Sequence, residues 1–353
     1  MTMPRADDAA PLDQNPLVQQ DGAPALQRPA SAVSTGAGLA GLVGLLLWFA
    51  AARTYGMDGI NSAFASVVCC GLCMALWSLL VDKVHRRAST GLDWSAPQRS
   101  WNAALDLTLV KITGLWATWA FIGLAYATLR FYGEGAWPIA IGLFRWSAIP
   151  LAVLSIPYVL LIDRYMVEPK DGSWHFGAWL LGQEGVAGDM VAKHWRAWAV
   201  KGFFLAFMLS IVPGNFVGLI QPSWHDVLGN PVAFASFGIG FLYMLDVHFA
   251  TVGYILTMRP LDAHIRTANP YGMAWVAALI CYPPFVLMNG GQPLDYKVNT
   301  ADWNVWMDQW HLPEGAFWLW AALLVGLTAI YAWATIAFGP RFSNLTHRGI
   351  ITH

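Results

Sequence analysis

The chain has 353 residues, of which 57% are hydrophobic and only 12% charged, with a mean hydropathy of +0.47 and a formal net charge of −1. A soluble domain carries about twice that share of charge, so a soluble globular protein is excluded, and no nucleic-acid partner is expected. The apolar residues fall in blocks that reach the roughly 20 residues needed to cross a bilayer as a helix.

In chain order, residues 1–34 come first, rich in Ala, Pro, Gln and Asp and almost without aromatics. Such a segment buries too little apolar surface to order itself, so it reads as a disordered cytoplasmic tail. The domain from 35 to 338 then holds eight apolar blocks, at about 36–52, 59–81, 104–130, 137–162, 198–220, 232–258, 273–289 and 316–338. Residues 339–353 form a second polar tail. The fold expected is all-α, a polytopic transmembrane bundle of about eight spans whose twenty tryptophans suit an interfacial belt.

Lys and Arg give the orientation. Of the twenty, fourteen lie in the tails and alternate connections (1–35, 82–103, 163–197, 259–272 and the C-terminal tail). The other connections hold three, Arg53, Arg130 and Lys297, and Lys111, Arg145 and Lys201 lie inside spans. Basic loops stay in the cytoplasm, so both termini are expected there, with the inner membrane of a bacterium as the location.

GAGLAG at 36–41 has dinucleotide-loop spacing, but it enters an apolar span rather than following a strand. Ala37/Gly41 and Ala40/Gly44 read instead as small residues that let helices approach. Cys69, Cys70 and Cys73 share one span and Cys281 another, so they read as small apolar packers, with no metal site assigned. DWNVWMDQWH at 302–311 sets Trp303, Trp306 and Trp310 on one helical face, as in a short interfacial helix. Asn344-Leu345-Thr346 is a formal glycosylation acceptor that this orientation keeps in the cytoplasm.

Ionisable residues inside spans are costly and point to function by default. Asp246 and His248 lie deepest; two residues apart, they project about 200° apart on a helix and cannot share a metal from one face. A structural carboxylate, Asp246 paired with Lys111, stands beside a catalytic reading. The densest polar cluster is MRPLDAHIRTANPYG, 258–272, with Arg259, Asp262, His264 and Arg266 on the cytoplasmic side. It reads either as a solvated basic loop or as the wall of an anion-binding site. CYPPF at 281–285 places two prolines in the seventh span, which kinks a helix and frees carbonyls.

The closing Arg348-Gly349-Ile350-Ile351-Thr352, after GPRFSN, resembles the start of the signature of the isoprenylcysteine carboxyl methyltransferases and their phospholipid methyltransferase relatives. RPLDAHIR and CYPPF resemble longer bacterial members of that group. The resemblance implies a membrane enzyme that uses S-adenosylmethionine, with Arg348, Gly349, Ile350, Ile351 and Thr352 at the cofactor. It also implies a prenylated or lipid-like carboxylate as acceptor, and the 258–272 loop offers Arg259, Asp262, His264 and Arg266 as candidate catalytic residues. In that family Gly-Pro-Tyr and Arg-His-Pro-x-Tyr elements follow; here His353 closes the sequence. The chain is therefore expected to be cut short, and in this form to bind the cofactor weakly.

Two other classes stand beside this one. A transporter is equally compatible with intramembrane charge and kinked spans, although no internal repeat of the kind common in transporters is visible. A lipid-binding protein without catalysis is the third.

Overall fold

The computed structural model describes residues 33–280, 282 and 302–349, and the fold is an all-α helical bundle. Two helices open it, α1 (Thr35–Tyr55) and α2 (Ile60–Leu80), followed by α3 (Trp101–Thr128) and α4 (Trp137–Tyr165). A short α5 (Gly172–Leu180) leads into α6 (Gly188–Val217), and a second short one, α7 (Trp224–Gly229), into α8 (Pro231–Ile255). Then come α9 (Gly272–Leu279), α10 (Asp302–Gln309) and α11 (Glu314–Phe338). Seven of these, α1, α2, α3, α4, α6, α8 and α11, are long and apolar enough to cross a membrane. The predicted span 273–289 starts as α9, and Cys281 and residues 283–289, with Pro283 and Pro284, lie outside the described residues, as does the tail before residue 33.

Local chemistry starts these helices. Ser34 accepts the Ala37 N–H at the head of α1 and donates to Asp82 at 2.5 Å, which ties that helix to the end of α2. Ser100 caps α3, Asp171 caps α5 through the Ser173 and Trp174 N–H groups, and Asn230 caps α8 with Pro231 in its first turn. Such caps satisfy amide donors that have no partner inside the helix. Gly56, in the left-handed conformation, ends α1.

The first glycine-rich stretch serves packing. Gly41 faces Met74, and a Cβ at Gly44 would stand 2.6 Å from the Cys73 sulfur, so α1 and α2 approach closely only because this position has no side chain. Cys70 is buried in the same core, which Phe49, Met74, Phe204, Phe216, Phe249 and Tyr254 fill between α1, α2, α6 and α8. A smaller cluster of Val110, Trp174 and Ala178 joins α3 to α5.

Helices α8 and α11 run parallel. Phe234 meets Trp318 at 5.7 Å, Tyr243 meets Tyr331 at 6.1 Å, and Asp246 accepts from Thr335 and Tyr331. The end of α8 at Ile255 and the start of α11 at Glu314 therefore lie at opposite faces of the bundle. The start of α1 and the end of α11 lie together, with Gly339 beside Val33 and Gly38, so both ends of the described chain share a face. On the opposite side, the Trp303 ring packs at 6.2 Å from Phe317, docking α10 on α11.

Two expectations change. The span at 198–220 belongs to a longer helix that begins at Gly188, because GDMVAKHWRA is too polar for a hydropathy window yet helical throughout. Lys111 does not pair with Asp246: α3 packs against α4 and α5, whereas Asp246 faces α11.

Candidate functional site

The face that holds the chain ends also gathers the polar residues. After α8, Pro260 sits in a short turn, Arg259–Leu261, and Asp262 takes a left-handed conformation with φ 49°. Asp tolerates that region better than most residues. The turn aims the Asp262 carboxylate inward, where it is 2% exposed. Arg341 donates to it at 2.7 Å, Ser89 at 2.7 Å and Arg266 at 3.4 Å.

The tail returns to this loop as a strand. Thr346–His347 (β2) pairs antiparallel with Thr267–Ala268 (β1), and the Arg266 and Asn269 N–H groups donate to the carbonyls of His347 and Leu345. Arg348, 2% exposed, then turns inward. Its Nε donates to Ala263, Nη1 to Gly253 and Phe342, and Nη2 to Leu256, Pro340 and Ala263. Every partner is a main-chain carbonyl, two of them left open at the end of α8. Arg is suited to this because its five donors form a rigid planar fork. Burial, helped by the neighbouring Arg341 and opposed by Tyr254, pushes the guanidinium down to about 9. Gly349 follows at φ 69°, and a Cβ there would stand 2.8 Å from Arg266 Cζ.

Arg266 and His264 are the less enclosed members. The Arg266 side chain is 32% exposed. His264 has its Nδ1 buried without a hydrogen-bond partner. Burial first, then Arg259, Arg266 and Arg341, pushes this imidazole down to about 4 against the opposing Asp262, so it stands neutral at pH 7.

A second group of charges adjoins. Lys111 reaches Asp163 at 2.5 Å and Asp171 at 3.4 Å, and Thr108 donates to Asp163. Arg259 lies 4.0 Å from Asp171 and donates to the Thr90 carbonyl. Burial alone would raise the Asp171 carboxyl, but Lys111, Arg259 and the Trp174 N–H outweigh it and hold it below its ordinary value. A chain of contacts thus runs from Asp163 through Lys111, Asp171 and Arg259, across the adjacent Thr90 and Ser89, to Asp262 and Arg341. Among the described residues, Lys111, Arg259, Arg266 and Arg341 pair with Asp163, Asp171 and Asp262, and Arg348 adds a further positive charge without a carboxylate, which leaves an excess of positive charge. An anionic ligand is what such an excess favours.

The structure therefore brings Arg259, Asp262, His264 and Arg266 together with Arg348 and Gly349, while Ile350, Ile351 and Thr352 lie outside the described residues. Asp246 and His248 stay apart: the first faces α11, and the second meets Ser66 at 2.6 Å and the Met244 carbonyl at 2.7 Å. Lys201 donates to Thr257, and Arg145 is exposed on α4. Sequence reasoning missed Ser89, Asp163, Asp171 and Arg341. A lysine in an apolar span calls for a carboxylate, and Asp163, just past the end of the fourth block, was the available one. Among the described residues no three His, Cys, Asp or Glu side chains are grouped to hold a metal ion. No family model matches the chain, and neither does any curated protein or solved structure.

Proposed function

We propose that this integral membrane protein is a methyltransferase of the isoprenylcysteine carboxyl type, with the 259–266 loop and the 341–349 tail forming one wall of its site. The carrying observation is their union: Thr346–His347, just before the segment that resembles the family's cofactor signature, pairs as a strand with Thr267–Ala268, just after the loop that carries Arg259 and Arg266. S-adenosylmethionine, when bound, supplies an electrophilic methyl group. Arg348 is unavailable to it, since its donors are all taken by carbonyls, so Arg348 acts by fixing the tail.

A carboxylate acceptor is already ionised at neutral pH and needs no general base. It needs a cation to hold it, alignment, and exclusion of water. Arg266 suits the first role, being the more exposed of the two loop arginines and adjacent to Gly349. Asp262 and Arg341 position it. A lipid-like acceptor would arrive through the bilayer between helices.

The test compares the 353-residue protein with a version extended through any downstream reading frame. Calorimetry with S-adenosylmethionine and methyl-ester formation on a farnesylcysteine acceptor are measured on both. Activity in the extended form, with the acceptor KM raised about tenfold or more by Arg266→Ala, is expected for loss of a charged hydrogen bond. An extended form that neither binds nor transfers overturns the reading. Micromolar binding by the short form moves the cofactor site to earlier residues.

A further inference from the structure

On the opposite face of the bundle, the outer ends of α1 and α8 and the short α7 enclose a cleft of about 550 Å³. That is within the roughly 300–1,000 Å³ typical of small-molecule sites. Phe49, Phe234, Phe237 and Phe241 give it an aromatic wall, with Leu46 and Leu228 at its edges. The edges are open, with Leu46 37% and Leu228 58% exposed. Leu46 belongs to α1, which reads as a membrane span, so its edge of the cleft opens toward lipid, while Leu228 on α7 lies at the end of the spans.

One charged side chain lines the cleft, Arg53, at the last turn of α1. It is fixed in place. Its Nη1 donates to the Leu219 carbonyl and its Nη2 to the Pro222 carbonyl, and its guanidinium lies 4.5 Å from the Trp224 ring centre. Those carbonyls take two of the five N–H donors of a guanidinium. No carboxylate pairs with Arg53 among the described residues. A cation held at the mouth of an apolar cleft, at the depth where a span ends, complements a molecule with an apolar chain and an anionic head.

We propose that this cleft holds an acyl chain of an anionic phospholipid from the adjoining leaflet, with its phosphate on the free N–H groups of Arg53. The site is independent of the methyltransferase reading, since it lies on the other face and shares no residue with the arginine cluster.

The experiment uses the whole protein in nanodiscs of phosphatidylethanolamine and phosphatidylglycerol, the latter carrying a photoactivatable diazirine in one acyl chain. Adducts mapped by peptide mass spectrometry are expected on residues 46–54 and 224–241. Arg53→Gln should cut these adducts about tenfold, as loss of a charged contact implies, while adducts elsewhere on the bundle are unchanged. Ala50→Trp, which fills the cleft without touching the charge, should abolish them. The wild-type map decides the matter even if a variant fails to fold. Adducts spread evenly around the bundle, or an equal yield from a phosphatidylethanolamine probe, overturn the proposal.

Discussion

Arg341 lies 2.7 Å from Asp262, and both side chains are 2% exposed. This one ion pair fastens the chain's last described segment to the loop after α8, across 79 residues of sequence. Two buried charges gain little over an apolar pair of the same shape, but removing one partner strands the other at a cost of about 3–5 kcal/mol. Asp262→Asn alone should therefore lower the unfolding temperature in detergent clearly. Asp262→Asn with Arg341→Met should recover most of the loss. Arg341 Nη1 also donates to the Arg348 and Gly349 carbonyls, at 3.3 and 3.1 Å, and a double variant as unstable as the single one would show that Arg341 acts through these bonds rather than through the carboxylate.

Arg348 predicts a different pattern. Its donors hold carbonyls from α8, the 263 position and the tail itself. Lysine keeps the charge but offers three donors without the planar fork, so Arg348→Lys should fail to rescue. Both Arg348→Lys and Arg348→Met should open the tail, read as faster proteolysis after residue 341 with the spans intact. Wild-type protection in the lysine variant would mean that charge, not carbonyl binding, anchors the tail.

How much of this was legible follows from range along the chain. The spans were visible because a bilayer crossing is written in roughly 20 consecutive residues. A face of α1 suited to close helix approach was visible in the pairs Ala37/Gly41 and Ala40/Gly44, since small residues at a spacing of four mark one helix face, but that α2 is the partner was not. The 258–272 loop stood out by composition. Its partners did not: Lys111 meets Asp163 from 52 positions away, and nothing local in RFSN marks Arg341 as the partner of Asp262. The parallel run of α8 and α11 was equally hidden, because hydropathy counts crossings without saying which neighbours pack. Asp171 carries a weak local sign, an acidic residue before Gly-Ser-Trp at a helix start, but α5 is too short for a hydropathy window to mark it as a span.

The shared face of the chain ends has a direct check. Single cysteines at Ser34 and Ser95 should react with a membrane-impermeant maleimide from one side of sealed vesicles, and cysteines at Gln221 and Glu314 from the other. Gln221 follows the far end of α6, and Glu314 opens α11. Ser34 and Glu314 labelling from the same side would break the parallel arrangement of α8 and α11. The side that labels at Ser34 should be cytoplasmic, as the twelve basic residues in the described connections and tail on that face imply.

His264 gives the pH dependence. Its folded-state pKa is pushed from 6.5 down to about 4 by burial and by the positive charge of Arg259, Arg266 and Arg341. In the unfolded chain the imidazole takes up a proton below its ordinary value, while in the folded protein it stays neutral until the pH nears 4. The unfolded state thus binds more protons across that interval, and stability falls as the pH drops through it. Tail docking should follow, because His264 sits between Ala263, which Arg348 binds, and the strand at Thr267. Proteolysis of the tail should accelerate between pH 6.5 and pH 4, and His264→Gln, which stays neutral, should flatten that dependence while leaving the rate at pH 7 nearly unchanged. An equally steep profile in His264→Gln would show that another group carries the transition; Asp171 is not that group, because its lowered pKa makes its contribution vanish only as the pH falls below the ordinary carboxyl value.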